Sequence, residues 1–123
     1  MYRDYVLNAL YVYLNRGRRI LQLLNAEKYD EAQELFDIRK AGFYNFFTLD
    51  ELALRFENYD VSSDEDGIKL WNQIKALDAQ LQDKIIDVKR KLQHELKRLL
   101  SFKHNVSKYK SYQVASNELI SEI

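Results

Sequence analysis

Two histidines, one acidic cluster and one Asp-rich loop are the groups in this sequence whose type and spacing could do chemistry. His94-Glu95 opens like a helical zinc-protease pair, in which a histidine four residues on completes the metal face; position 98 is Arg98, and the pairing fails. His104 has no ligand partner at a spacing of three or four either. Asp64, Asp66 and Gly67 suit the third, fifth and sixth positions of a calcium loop, but the first and twelfth would be Ser62 and Gln73, where carboxylates are needed. Those acids read instead as the chemistry of a helix start. Glu27, Asp30, Glu31, Glu34 and Asp37 recur at helical spacing without the Glu-x-x-His partner of a di-iron site, and read as a solvated face. Cysteine is absent, which removes disulfides, thiolate ligands and a thiol nucleophile. No glycine-rich phosphate loop is present, and no Ser or Lys stands beside an obvious activating base. No catalytic residue, metal or cofactor is expected, so the chain reads as one that acts by binding.

Two sets of residues could do that binding. Aromatics crowd the segment Phe36, Phe43, Tyr44, Phe46, Phe47, and again Tyr2, Tyr5, Tyr11, Tyr13. Neighbours on a helix lie about 100° apart, so adjacent aromatics cannot all point inward, and some should face a groove where they would anchor a partner helix. The second set is basic: Lys84 to Lys110 holds nine Lys or Arg against two acids. Nucleic acid is the alternative reading of that run, with Lys89-Arg90-Lys91 and Lys97-Arg98 meeting phosphates. It is disfavoured because the cations share their helix with an unbroken apolar stripe and no stacking aromatics are interleaved.

The elements that must position these groups are helices. Glycine occurs three times and proline not at all, so helix-breaking residues are nearly missing. Val6, Leu10, Tyr13, Gly17, Ile20 and Leu24 define one face of a first helix, with Arg16, Arg18 and Arg19 at its solvated edge. Asn25 ends this helix or caps the next. Tyr29, Ala32, Phe36, Phe43 and Phe47 mark a second, with Gly42 as its weak point. Thr48 to Glu51 has the form of a capping box, which leaves open a restart there or one bent helix. Residues 60–67 form a loop, and Ser62 with Glu65 makes a second capping box for the third helix.

Along that third helix Leu70, Ile74, Leu77, Leu81, Ile85, Val88, Leu92, Leu96, Leu99, Lys103 and Val106 follow one another at spacings of three and four that average 3.6. A 3.5 period would wind a supercoil, whereas this one runs straight along a bundle spine. About 45 residues, to near Tyr109, would span about 65 Å. The first two helices should leave its far end exposed, and Ser111–Ile123 could fold back as a short helix. The expectation is an all-α single domain, residues 1–123: an antiparallel bundle of three to four helices with one long helix in the C-terminal half and a short C-terminal segment.

Composition agrees, with 46% hydrophobic and 31% charged residues excluding both disorder and a membrane protein. Formal net charge is zero, but residues 1–25 carry +3, 26–67 carry −8 and 68–123 carry +5. An acidic helix beside a basic one in a bundle accounts for this. No signal peptide or membrane span is visible, and the cytoplasm is the expected location.

The stretch from Ile20 to Glu31, a leucine-rich helix end, a short acidic turn, then Tyr29 followed by two acids, resembles FliT-type flagellar export chaperones. Leu35 and Arg39 correspond to the family's Leu and basic residue. Leu70 to Asp78 is similar to its Leu-x-x-Ile-x-x-Leu-Asp core, and Tyr109 or Tyr112 to the Tyr after a Lys-rich helix end. FlgN-type chaperones share the layout. The resemblance implies a cytoplasmic chaperone whose partners are the helical C-terminal part of a filament-cap export substrate and an export-gate component, with a homodimer compatible and no membrane insertion. The alternative is a nucleic-acid-binding protein or a helical adaptor. The expected groove combines Tyr29, Phe36, Arg39, Phe43 and Phe47 with Leu92, Leu96, Leu99 and Tyr109, and Val114, Leu119, Ile120 and Ile123 would cover it in the free state.

Overall fold

Spacings of three and four in the opening segment become α1 (Tyr2–Asn25), which buries Val6, Leu10, Leu14, Gly17, Ile20, Leu23 and Leu24 along one side. The computed structural model of the chain describes residues 1–117, with side chains through residue 105. After Asn25 the backbone reverses by a Schellman turn: Lys28 N–H donates to the Leu23 carbonyl at 2.9 Å and Glu27 N–H to that of Leu24 at 3.1 Å. Glu27 takes a left-handed φ of 59° to make it.

Helix α2 (Tyr29–Glu57) then runs unbroken. Of the two alternatives left open at Thr48, the single helix is the one adopted. The Thr48 hydroxyl donates to the Tyr44 carbonyl within the helix at 3.3 Å instead of capping a new one. The reason lies in the seam that α2 buries, Ala32, Arg39, Phe46 and Ala53, each seven residues from the last. A break at 47 would throw Ala53 out of register with that seam. Left-handed Asn58, at φ 50°, ends α2, and Tyr59 N–H returns to the Ala53 carbonyl at 3.1 Å.

A 3-10 turn (Val61–Ser63) leads into α3 (Glu65–Asn117). The expected cap at Ser62 is corrected: Ser62 donates its N–H (3.0 Å) and its hydroxyl (2.6 Å) to Asp60, and the cap of α3 is Asp64, whose carboxylate accepts the Asp66 N–H at 3.0 Å. Helix α3 is also longer than expected. It passes Tyr109 and continues to Asn117, since neither Gly nor Pro follows Gly67 to stop it. Ser111 to Asn117 therefore belong to α3, and no separate short helix starts at Ser111.

The chain divides into two compact units, Met1–Ile86 and Asp87–Ile123. In the first, the helices run up, down and up. The Glu57 carboxylate accepts the Tyr2 N–H at 3.1 Å and pairs with the Met1 ammonium at 3.3 Å, tying the end of α2 to the start of α1. Arg3 reaches Asp64 at 2.9 Å and Asp66 at 3.0 Å, bringing the start of α3 to the same end. Ile74, Leu77 and Leu81 from α3 join the α1 face and Phe46 in one core. This is the expected antiparallel helical bundle, built from three α-helices among the described residues. In the second unit the described residues are all part of α3, and Leu92, Leu96, Leu99, Leu100 and Phe102 are exposed.

Candidate partner-binding site

The seven-residue seam of α2 fixes which aromatics are available for binding. Phe46 lies on the seam and is buried, while its neighbour Phe47, turned about 100° away, is 54% exposed. Phe43 sits one turn earlier and contacts both, with ring centroids 6.0 Å from Phe46 and 4.8 Å from Phe47, the latter edge to face. From α3, Trp71 stacks on Phe46 at 6.4 Å and keeps 36% of its surface exposed. Between these rings lies a cleft of about 510 Å³, floored by Leu10 and Phe46 and walled by Phe43, Phe47, Ile68 and Trp71. Its volume falls in the range of ligand pockets, and its lining is predominantly apolar and aromatic. Asp50, Asn72 and Lys75 supply polar points at the wall. Burial, followed by the nearby charge of Asp60, pushes the Asp50 carboxyl above its ordinary range. Such a carboxylate gains from a donor brought in by an occupant.

Arg39 answers to a different purpose from the one expected of it. It lies inside the bundle at 5% exposure, its Nε donating to the Tyr13 carbonyl and its Nη2 pairing with Asp78 Oδ1, both at 2.9 Å. The guanidinium also lies 3.7 Å over the centre of the Tyr13 ring. Gly17 makes room for it: a Cβ there would stand 2.8 Å from Arg39 Nη2 and 2.6 Å from Leu77 Cδ2. Burial raises the Tyr13 phenol above its ordinary value, so it stays neutral beneath the cation. Arg39 is thus an internal tie between the three helices of the first unit, where its polar contacts are with Tyr13 and Asp78. A cation on a largely solvated segment gave no sequence signal for this, because the tie exists only once Tyr13 and Asp78 are brought together.

The other expected residues separate by unit. Phe43 and Phe47 line the cleft, whereas Tyr29 and Phe36 are half-buried and pack against the core. Leu92, Leu96 and Leu99 are exposed in the second unit. The side chains of Tyr109 and Val114, and the whole of Leu119, Ile120 and Ile123, lie outside the described residues. Sequence reasoning missed Trp71, Ile68 and Asp50. Trp71, the chain's one tryptophan, adjoins Leu70 but falls outside the three-and-four spacing of the apolar stripe, so periodicity gives it no signal.

Among the described residues no group of three or more His, Cys, Asp or Glu side chains converges as a metal site would. No helix among them is long and apolar enough to cross a membrane. No protein family, curated protein or solved structure matches the chain.

Proposed function

We propose that the cleft between α2 and α3 receives the apolar face of an amphipathic helix from a protein partner, and that the chain is an export chaperone of the FliT type. The partner in this reading is the helical C-terminal part of a filament-cap export substrate, held in the cytoplasm until it is passed to the export gate. One observation carries the proposal: exposed Phe47 and Trp71 flank an open cleft whose floor is already buried. Rigid aromatics at the rim of a preformed hollow are the anchors that helix-in-groove recognition uses. The resemblance of Ile20 to Glu31 and of Leu70 to Asp78 supplies the family, and the cleft supplies the means.

Trp71 makes the test direct, since it is the chain's one tryptophan and lines the cleft. Titration with the C-terminal helical segment of a flagellar filament-cap protein should shift its emission to shorter wavelength and saturate. Phe47→Ala, at an exposed position that leaves the core intact, should weaken binding by about thirtyfold, the scale of a lost aromatic anchor. An emission spectrum indifferent to saturating segment, or an affinity untouched by Phe47→Ala, would end the proposal.

A further inference from the structure

The second unit carries an apolar face of its own, independent of the cleft reading. Leu92, Leu96 and Leu99 fall within about 60° of arc at 100° per residue, and all three are exposed. Leu96 has cations at seven residues on either side, Lys89 and Lys103, both exposed. At 1.5 Å per residue these two positions flank Leu96 along the helix axis at about 10 Å in each direction. The face therefore consists of two rows, one of leucines and one that reads Lys, Leu, Lys.

We infer that this face of α3 is a docking site for an acidic amphipathic helix of a protein partner, whose leucine-like side chains cover Leu92, Leu96 and Leu99 while carboxylates fourteen residues apart meet Lys89 and Lys103. Charge decides the occupant. A second copy of the same face, centred on Leu96, would set lysine against lysine in either direction, Lys89 against Lys103 when antiparallel and each against its own counterpart when parallel. Like charges so placed repel. Arg90, Lys97 and Arg98 lie on the opposite side of the helix and take no part in the face. Nucleic acid would satisfy the cations and leave the leucines in water. A membrane surface would bury the leucines, but Lys89 and Lys103 lie within the apolar face and not on its polar side, and Glu95 stands at its edge. An acidic helix satisfies both rows at once.

The probes are two labelled 21-residue helical peptides with one apolar face, differing only in carrying Glu or Lys at the two positions fourteen residues apart. Fluorescence anisotropy on the full chain should show the Glu peptide binding about tenfold more tightly, a preference that shrinks with added salt. Lys89→Glu with Lys103→Glu should reverse the preference, which mere unfolding cannot do, and Leu96→Gln should abolish binding of both. Trp71 emission should stay unchanged throughout, which separates this face from the cleft. The inference is overturned if neither peptide binds, if the two bind equally, if the double variant fails to reverse them, or if duplex DNA or vesicles containing phosphatidylglycerol displace the Glu peptide from the same residues.

Discussion

Arg39 shows how one side chain can hold three helices. Its guanidinium touches the α1 backbone at Tyr13, the Tyr13 ring and the α3 carboxylate of Asp78 from a buried position. Removing such a group deletes packing as well as charge. Arg39→Ala should lower unfolding free energy by about 3 kcal/mol, read as the urea midpoint at constant m. Gly17 is the counterpart of that tie. Alanine normally favours a helix over glycine by about 1 kcal/mol, yet here the added methyl meets Leu77 and Arg39, neither free to retreat, and overpacking costs about 1–3 kcal/mol. Gly17→Ala should therefore destabilise by about 1 kcal/mol net, and an increase in stability by urea titration would contradict the packing described.

Among the elements, the end of the bundle where α3 begins is held by carboxylates. Asp64 accepts the Tyr59 hydroxyl at 2.7 Å, and this bond, more than the Asp66 N–H or Arg3, holds its carboxyl below the usual range. Glu57 is lowered chiefly by the Tyr2 N–H, and Asp60 chiefly by the Ser62 hydroxyl. A carboxyl whose pKa is depressed by folding contributes stability in full above its unfolded value, near 4, and loses it as pH falls through the lower folded value. Asp50, raised by burial, acts in the opposite sense, since its protonation on acidification relieves a desolvated charge. Among the described residues three lowered carboxyls stand against one raised, which predicts a urea midpoint that falls between about pH 5 and pH 2. Asp64→Asn should flatten that fall while lowering the midpoint at neutral pH. The other face of Tyr59's bond is that its phenol is pushed far up, by burial first, and remains a donor across the whole range.

The elements also show where sequence sufficed. A regular apolar period over 36 residues predicted α3 and its buried stretch from Ile74 to Leu81, because a straight stripe has one way to meet a core. The face of α1 was legible for the same reason. The α2 seam was not. Its members are two alanines, an arginine and one of two adjacent phenylalanines, so the apolar count favoured Phe47 over Phe46 and passed over Arg39. Capping motifs misled in the same way, since Asp64 and Ser62 were both competent and only the geometry of the 3-10 turn chose between them. The cleft needed Trp71 from α3 beside Phe46 from α2, a pairing no local pattern announces.

At the scale of the whole molecule, the two units differ in what stabilises them. The first has a core drawn from three helices, whereas the described residues of the second form part of one helix with its leucines exposed. A helix without tertiary packing is marginal in water, so its hydrogen bonds open more readily than those of a core. Amide hydrogen exchange by mass spectrometry should find residues 88–105 far less protected than the core segments around Leu10, Phe46 and Ile74. Addition of the acidic peptide should raise protection over 88–105 selectively. Equal protection of both regions in the free chain would contradict this division.

The reversal at Glu27 has a kinetic consequence. Because it joins α1 to α2 through three residues, every contact in that pair closes a loop grown outward from the turn, and each closure is short once the one before it has formed. The two helices of this zip can be drawn together before Ile74 has been synthesised, leaving the third helix to settle onto a template already in place. Newly made chains should thus acquire a protease-resistant hairpin while α3 is still within the ribosome, and loosening the bend at residues 26–28 should slow refolding more than it speeds unfolding.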